Sequence, residues 1–126
     1  MANINHFEVI SKYESHYDML GIKITDKYNY DQSVEMLDGV IIDFNTENNP
    51  VALQIIGASE LFKVPKNALH DIPSIDMKIK IDENSICLDL TIGVHVHDKK
   101  LEQSFNSLIA NNSGLPNLEA ELATSL

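Results

Sequence analysis

The chain has 126 residues, of which 44% are hydrophobic and 22% charged, and its formal net charge is −10 at pH 7. A chain of this length buries roughly two-thirds of its unfolded surface, so it can hold a core without a disulfide or a metal. All nine basic residues are lysine. An acidic chain without arginine is poorly suited to direct nucleic-acid binding, which depends on phosphate neutralisation and on arginine contacts to bases.

The sequence also restricts where the protein works. It contains no run of about 18 apolar residues that could span a bilayer as a helix, and residues 1–6 lack the basic start and apolar core of a secretory signal. The single cysteine, Cys87, cannot form an internal disulfide, which favours a reducing compartment. We therefore expect a cytoplasmic protein whose acidity favours a basic partner surface.

The first half of the chain has the pattern of β-strands. Apolar and polar side chains alternate with a period of two over residues 7–57, and turn sequences interrupt them at 14–18 and 45–50. Asp38-Gly39 lies between two alternating runs and predicts a tight hairpin, because both central residues of a type I′ turn need positive φ. Short connections favour antiparallel neighbours, so this region predicts a β-meander.

The pattern changes to helical spacing in the middle of the chain and then returns to alternation. Residues 58–71 predict short helices, with Pro65 suited to a first helical turn. Residues 75–81 alternate again, and residues 86–96 alternate without a break. This second run is the cleanest period-two pattern in the sequence and predicts a long strand with one buried face.

The C-terminal residues return to spacing that is typical of a helix. The apolar stripe consists of Leu101, Phe105, Leu108 and Ile109. With Asp98 as an N-cap, it predicts a helix near 99–110. Residues 115–122 predict either a last short amphipathic helix after Pro116 or a frayed tail.

A family resemblance lies in the first half of the chain. The residues that carry it are Tyr17, Asp18, Asp38, Gly39, Val40, Asp43, Ala58 and Ser59. Together, within residues 9–62, they resemble the small prokaryotic family called domain of unknown function 2283. The sequence departs from the family at Glu14, where members usually have aspartate, and in an extension after residue 75. The family has no established catalytic residues, and the position of some members beside toxin-like genes implies an antitoxin-like role.

Two histidines are the candidates for metal binding. His95 and His97 are two residues apart on a predicted strand, so their side chains lie on one face and could hold zinc. A zinc site needs a third or fourth ligand and partners that orient the ligands. The alternative interpretation is that both are ordinary polar residues at the open end of a strand.

Other side chains suggest catalysis or assembly less directly. Cys87 could act as a nucleophile, but its place within a regular strand pattern in an acidic region favours an ordinary strand residue. Carboxylates that could form an acid–base pair are Asp38 with Asp43, or Asp76 with Asp82 and Glu83, although turns and solvent explain each of them. A long strand at a sheet edge would invite a second copy, so a homo-oligomer is also considered.

These observations lead to one set of expectations. The fold class is α+β, a mainly antiparallel sheet of about six or seven strands with short helices near 58–71 and a helix near 99–110, in a single domain over residues 1–126. We expect no cofactor and no catalytic residue. The expected function is a non-enzymatic, acidic protein-interaction module, antitoxin-like in character; the alternatives are a metal-binding protein or metal-dependent enzyme using His95 and His97, or a self-assembling structural protein.

Overall fold

A computed structural model describes residues 4–37 and 39–124, and 63% of these residues are in β-strands. The first five strands are β1 (Ile4–Glu14), β2 (Met19–Ile24), β3 (Tyr30–Leu37), β4 (Val40–Asn45) and β5 (Pro50–Ile56). A short helix, α1 (Ala58–Phe62), and a 3₁₀ turn (Lys66–His70) follow. The remaining strands are β6 (Ser74–Ile81), β7 (Ser85–Val96), β8 (Lys99–Ala110) and β9 (Leu118–Ala123).

The nine strands form one sheet in the order β3-β4-β5-β2-β1-β9-β6-β7-β8. Every neighbouring pair among the described residues is antiparallel except β1 and β9, which run parallel. The last strand therefore lies in the middle of the sheet, between the N-terminal five strands and β6. Leu122 pairs with Phe7 on one side and with Met77 on the other, and it is fully buried.

The sheet curls so that one face encloses the core. The inward positions alternate along each strand, as a half-buried strand requires. The fully buried side chains include Leu20, Ile22, Ile42, Phe44, Leu53, Ile55, Met77, Ile79, Ile86 and Leu88. The two end strands approach each other. The Ser107 hydroxyl on the inner face of β8 donates a hydrogen bond to the Met36 carbonyl of β3 at 3.3 Å. Helix α1 also packs against β8.

The α+β prediction is wrong, since the molecule is almost all β and has nine strands where six or seven were expected. The predicted helix near 99–110 is strand β8. Leu101, Phe105 and Ile109 are four residues apart, and this spacing fits one face of a strand as well as one stripe of a helix. Leu108 belongs only to the helical interpretation, and its side chain is 68% exposed.

The turn before β8 explains why the strand was missed. His97 and Asp98 have φ of 51° and 63°, so they form the two-residue connection between β7 and β8. Two consecutive residues with positive φ match a type I′ hairpin turn. Asp98 is therefore a turn residue and not the N-cap of a helix.

The two alternatives predicted for residues 115–122, a short helix or a frayed tail, are both wrong, because strand β9 begins at Leu118. Leu118 and Leu122 are four residues apart, and they lie on the inner face of strand β9 with Ala120 between them. Tertiary structure decides the outcome, because β9 fills the position between β1 and β6 and forms backbone ladders with both.

Other local predictions are correct. Helical turns lie at 58–62 and 66–70, within the predicted segment 58–71. Gly39 has a φ of 81° at the β3–β4 connection, where the hairpin was expected, whereas Asp38 lies outside the described residues. The predicted meander, in which each strand pairs with the next one in the sequence, is interrupted after β2, because β2 pairs with β5 and not with β3. None of the helices in the described ranges is long and apolar enough to cross a membrane.

Candidate interaction surface

Asp18 joins two distant parts of the chain. Its φ of 50° places it in the turn between β1 and β2, and its carbonyl accepts hydrogen bonds from the backbone N–H groups of Gly57 (2.9 Å) and Ala58 (3.1 Å). Its carboxylate accepts the Tyr13 hydroxyl at 2.5 Å, the Ser59 N–H at 3.0 Å and the Ser59 hydroxyl at 2.7 Å. The Asp18 cluster, defined as Tyr13, Asp18 and Ser59, therefore fixes the β1–β2 turn against the start of α1.

The ionisation of this cluster matches its geometry. Burial raises the pKa of Asp18, but the hydrogen bonds from Tyr13 and Ser59 outweigh burial, and the pKa lies below its ordinary value. Burial and the adjacent Asp18 carboxylate raise the pKa of Tyr13, so its hydroxyl remains a donor. The hydrogen bonds of this cluster join groups within the protein, which indicates a structural role for these residues.

A different surface has the properties of a binding site. Residues 28–62 contain six acidic residues and neither lysine nor histidine. This run builds strands β3, β4 and β5 on one side of the sheet, and β3 is an end strand. We name the outward side of these three strands the acidic face. Its exposed carboxylates Asp31 and Glu35 lie on β3, and no ion pair involves them within the described part of the chain.

Hydrogen bonds across the three strands order the middle of the acidic face. The Tyr30 hydroxyl lies 2.7 Å from the Ser33 hydroxyl, and Ser33 donates to one carboxylate oxygen of Asp43 at 2.6 Å. The Gln54 amide donates to the other oxygen at 3.4 Å. Asp43 forms no ion pair within the described residues, so this carboxylate can face a basic partner.

Exposed apolar side chains border these acids. Tyr30 is 58% exposed at the start of β3, Leu37 is 44% exposed at its end, and Ile56 is 55% exposed at the end of β5. Carboxylates with intervening aromatic and aliphatic side chains can contact a basic, partly apolar segment. Strand β3 is an end strand whose Met36 carbonyl accepts the Ser107 hydroxyl of β8, so only the part of β3 away from that contact could accept an extended strand.

Two further acidic residues, Asp76 on β6 and Glu121 on β9, lie side by side on the outer face of the sheet. Burial raises the pKa of Asp76, and the neighbouring Glu121 carboxyl raises it further, while Lys78 partly offsets the rise. One carboxylate oxygen of Asp76 is buried and has no hydrogen-bond partner among residues 4–37 and 39–124. Glu121 also approaches Nδ1 of His6 at 3.2 Å. Asp76 was considered as an acid–base residue with Asp82 and Glu83, and the structure brings it to Glu121 instead.

The two histidines considered for zinc are both exposed. His95 lies on the outer face of β7 opposite Lys100, whereas His97 lies beyond the strand in the turn, so strand alternation does not align the two side chains. Among residues 4–37 and 39–124, no group of three or more histidine, cysteine or acidic side chains is arranged to hold a metal ion. Metal binding at His95 and His97 stays a prediction.

The remaining candidates lie apart from one another. Cys87 is half-buried on the outer face of β7, opposite Lys80 on β6 and Leu108 on β8. Asp82 accepts backbone N–H groups in the β6–β7 turn, and those hydrogen bonds lower its pKa. Asp43 belongs to the acidic face, while Asp38, with which it was paired, lies outside the described residues.

Sequence reasoning missed the acidic face, although a signal for it was present. The uninterrupted absence of basic residues over 28–62 is visible in the sequence. The strand order that gathers these residues at one side of the sheet is not, because it depends on the pairing of β2 with β5. The Asp76–Glu121 contact joins positions 45 residues apart and had no local signal.

Residues 11–59 match the model of a family described as "Protein of unknown function (DUF2283)". This match confirms the resemblance that the sequence motifs indicate for residues 9–62. It includes all of β2–β5, and therefore the whole acidic face, together with Tyr13, Asp18 and Ser59. Residues beyond 59, including β6–β9, lie outside the match.

A protein of Methanosarcina mazei named "Putative hypoxanthine phosphoribosyltransferase" is 29% identical to this chain over 87 residues. The aligned region covers 69% of this chain and 70% of that protein. At this identity the name describes the relative alone. The solved structures contain no match to this chain.

Proposed function

Because residues 11–59 match a family without an assigned activity, we propose a function from the surface that this segment builds. The protein is a non-enzymatic, cytoplasmic interaction module that binds a basic partner protein through the acidic face. The single observation that carries the proposal is the segregation of charge: β3–β5 contribute acids and no lysine, while the lysines lie elsewhere on the molecule.

Segregated charge has a defined effect on association. A face of one sign steers an oppositely charged partner during encounter and raises the association rate more than the final affinity. Asp31 and Glu35 supply this charge on β3, and Asp43 supplies it on β4. Tyr30, with its ring exposed beside them, supplies the apolar contact that a stable complex needs.

The partner that fits this face is a basic protein, and a nucleic-acid-directed protein is the clearest example. Such a protein carries lysine and arginine where phosphate would bind, and carboxylates on a rigid sheet can occupy that surface. This mode of binding agrees with the antitoxin-like role that the family resemblance implies. In it, the acidic face competes with nucleic acid for the partner and does not itself contact nucleic acid.

The test is capture of a partner from the native host with matched charge variants. Wild-type protein, the double variant Asp31→Lys/Glu35→Lys, and the control double variant Asp71→Lys/Glu83→Lys are immobilised in parallel. All four exchanged positions are exposed, and the two double variants change net charge equally. We expect the same basic protein to be retained by wild type and control but lost from the β3 variant.

Salt titration of the recovered complex completes the test. If the acidic face contributes the charge, the dissociation constant should rise steeply between low and physiological salt, because screening shortens the range of charge attraction to about 8 Å at 0.15 M. Retention by the Asp31→Lys/Glu35→Lys variant, or binding that does not respond to salt, would overturn the proposal.

A further inference from the structure

The β7–β8 hairpin extends beyond the rest of the sheet. The ladder between β6 and β7 stops at Ser74 opposite Gly93, whereas β7 and β8 continue to pair as far as Val96 opposite Lys99. Strand β8 is the end strand of the sheet. Its first part, residues 99–104, is largely exposed, while Ser107 further along contacts Met36 and is buried. The first half of β8 therefore presents a free edge.

The turn geometry determines which backbone groups point to that edge. Val96 and Lys99 flank a two-residue type I′ turn, so they form the closing hydrogen-bonded pair of the hairpin. Hydrogen-bonded and non-hydrogen-bonded pairs alternate along an antiparallel ladder. The N–H and C=O groups of Lys100 and Glu102 consequently point away from β7 and are available to another strand.

We propose that this edge pairs with the same edge of a second copy of the chain, antiparallel and centred on Leu101. A two-fold axis perpendicular to the sheet keeps the outer faces of both copies on one side. In this register Lys100 lies opposite Glu102 of the partner subunit, and Glu102 lies opposite the partner subunit's Lys100. The two residues that offer free backbone groups are also the two that carry complementary charges.

The charges select this register over its neighbours. Centring the pair on Glu102 would place two carboxylates directly opposite each other, which is unfavourable. Centring it on Leu101 forms two opposite-charge pairs and brings together two leucines whose side chains are 40% exposed in the single chain. Lysines on an end strand normally prevent edge-to-edge association; here the same lysine has an acidic residue to face, so association is limited to the matching edge.

The dimer would leave the acidic face free. Although β8 meets β3 at Ser107 and Met36, the proposed edge comprises only residues 99–104 of β8, and the acidic face is the outward side of β3–β5. Each dimer would therefore present two copies of the acidic face. Two linked sites can raise the overall affinity for a partner that also has two sites. The self-association itself does not depend on the proposed function.

The experiment is sedimentation velocity over a range of protein concentrations at low salt. Wild type is compared with Lys100→Glu, with Glu102→Lys, and with the double variant Lys100→Glu/Glu102→Lys. Lys23 is an exposed lysine on the interior strand β2, and Lys23→Glu is the control for the change of net charge in Lys100→Glu. Circular dichroism and thermal unfolding confirm that each variant keeps the wild-type fold before its mass is interpreted.

We expect wild type and Lys23→Glu to form a dimer as concentration rises. Each single reversal places like charges opposite each other twice and should raise the dimer dissociation constant by about tenfold or more. The double variant restores both pairs and should dimerise like wild type. A monomer up to about 1 mM, a dimer insensitive to the single reversals, a double variant that fails to recover, or open-ended polymers formed through β3 would each overturn the proposal.

Discussion

The carboxylates of Asp18, in the β1–β2 turn, and Asp76, on strand β6, have opposite environments. Asp18 accepts three hydrogen bonds from Tyr13 and Ser59, and its pKa lies below the ordinary value. Within the described part of the chain, Asp76 has one buried oxygen without a partner and the Glu121 carboxyl beside it, and its pKa lies above the ordinary value. The first carboxylate stabilises the fold when ionised, and the second carries a cost when ionised. The contrast shows that donors around a carboxylate, and not burial alone, decide the sign of its contribution.

Removing the Asp18 carboxylate should have the largest effect on the free energy of unfolding. Asp18→Ala leaves the Tyr13 hydroxyl and the Ser59 N–H without their acceptor and places alanine at positive φ. We expect a loss of about 2–4 kcal/mol in the free energy of unfolding, because hydrogen bonds to a charged group are the costly ones to lose. Urea unfolding at pH 7 measures the loss. Asp43→Ala is the control, since it also loses an acceptor for a serine hydroxyl but at an exposed site; equal losses would contradict a special role for Asp18.

Acid titration tests the sign of the Asp18 contribution. Its pKa in the folded protein lies below 3.8, so its ionised form stabilises the fold above that value and the stabilisation is lost as pH falls through the folded pKa. Asp18→Asn should therefore differ from wild type by a constant free energy of unfolding from pH 7 to about pH 5. Below about pH 4 the difference should shrink. Urea unfolding at a series of pH values measures it, and a difference that grows on acidification would show that Asp18 is not a lowered-pKa group.

Replacing Asp76 should change the free energy of unfolding less than replacing Asp18, and it should stabilise the protein. Asp76→Asn removes one of two adjacent carboxyls and should raise the free energy of unfolding at pH 7 by up to about 1 kcal/mol, the range for a like-charge pair on neighbouring strands. Because the folded pKa of Asp76 is raised above 3.8, the cost of ionisation disappears as pH falls through that pKa. The gain should therefore vanish in acid.

A matched variant separates this effect from a general loss of negative charge. Glu119 lies on the same strand as Glu121, and its carboxylate oxygen is 3.9 Å from the Lys80 Nζ atom. The variant Glu119→Gln should therefore not stabilise the protein. Thermal unfolding at pH 7 and pH 4 compares the two variants. An equal gain from Glu119→Gln would assign the effect to the net charge of −10 and not to the Asp76–Glu121 contact.

The sequence predicted the structure correctly where a turn motif or an unbroken alternation of apolar and polar residues was present. The Asp38-Gly39 position predicted a hairpin between β3 and β4, and Gly39 has the positive φ that such a hairpin needs. The unbroken alternation over 86–96 predicted β7, whose inward residues from Ile86 to Val94 are buried. Of the candidate site, Asp43 was noticed in the sequence, whereas Asp31 and Glu35 were not, because their importance depends on neighbours brought in by strand order.

The order of amino acids is enough to predict strongly alternating, acidic strands and a segment that resembles a known family. The conformation of residues 99–123 depends instead on contacts between distant strands. Leucines and phenylalanine spaced four apart satisfy a helix and a strand equally well, and the choice depends on which backbone partners are available. Strand β7 offers a free edge to β8 across a two-residue turn, and β1 and β6 leave one position between them that only an extended segment can fill.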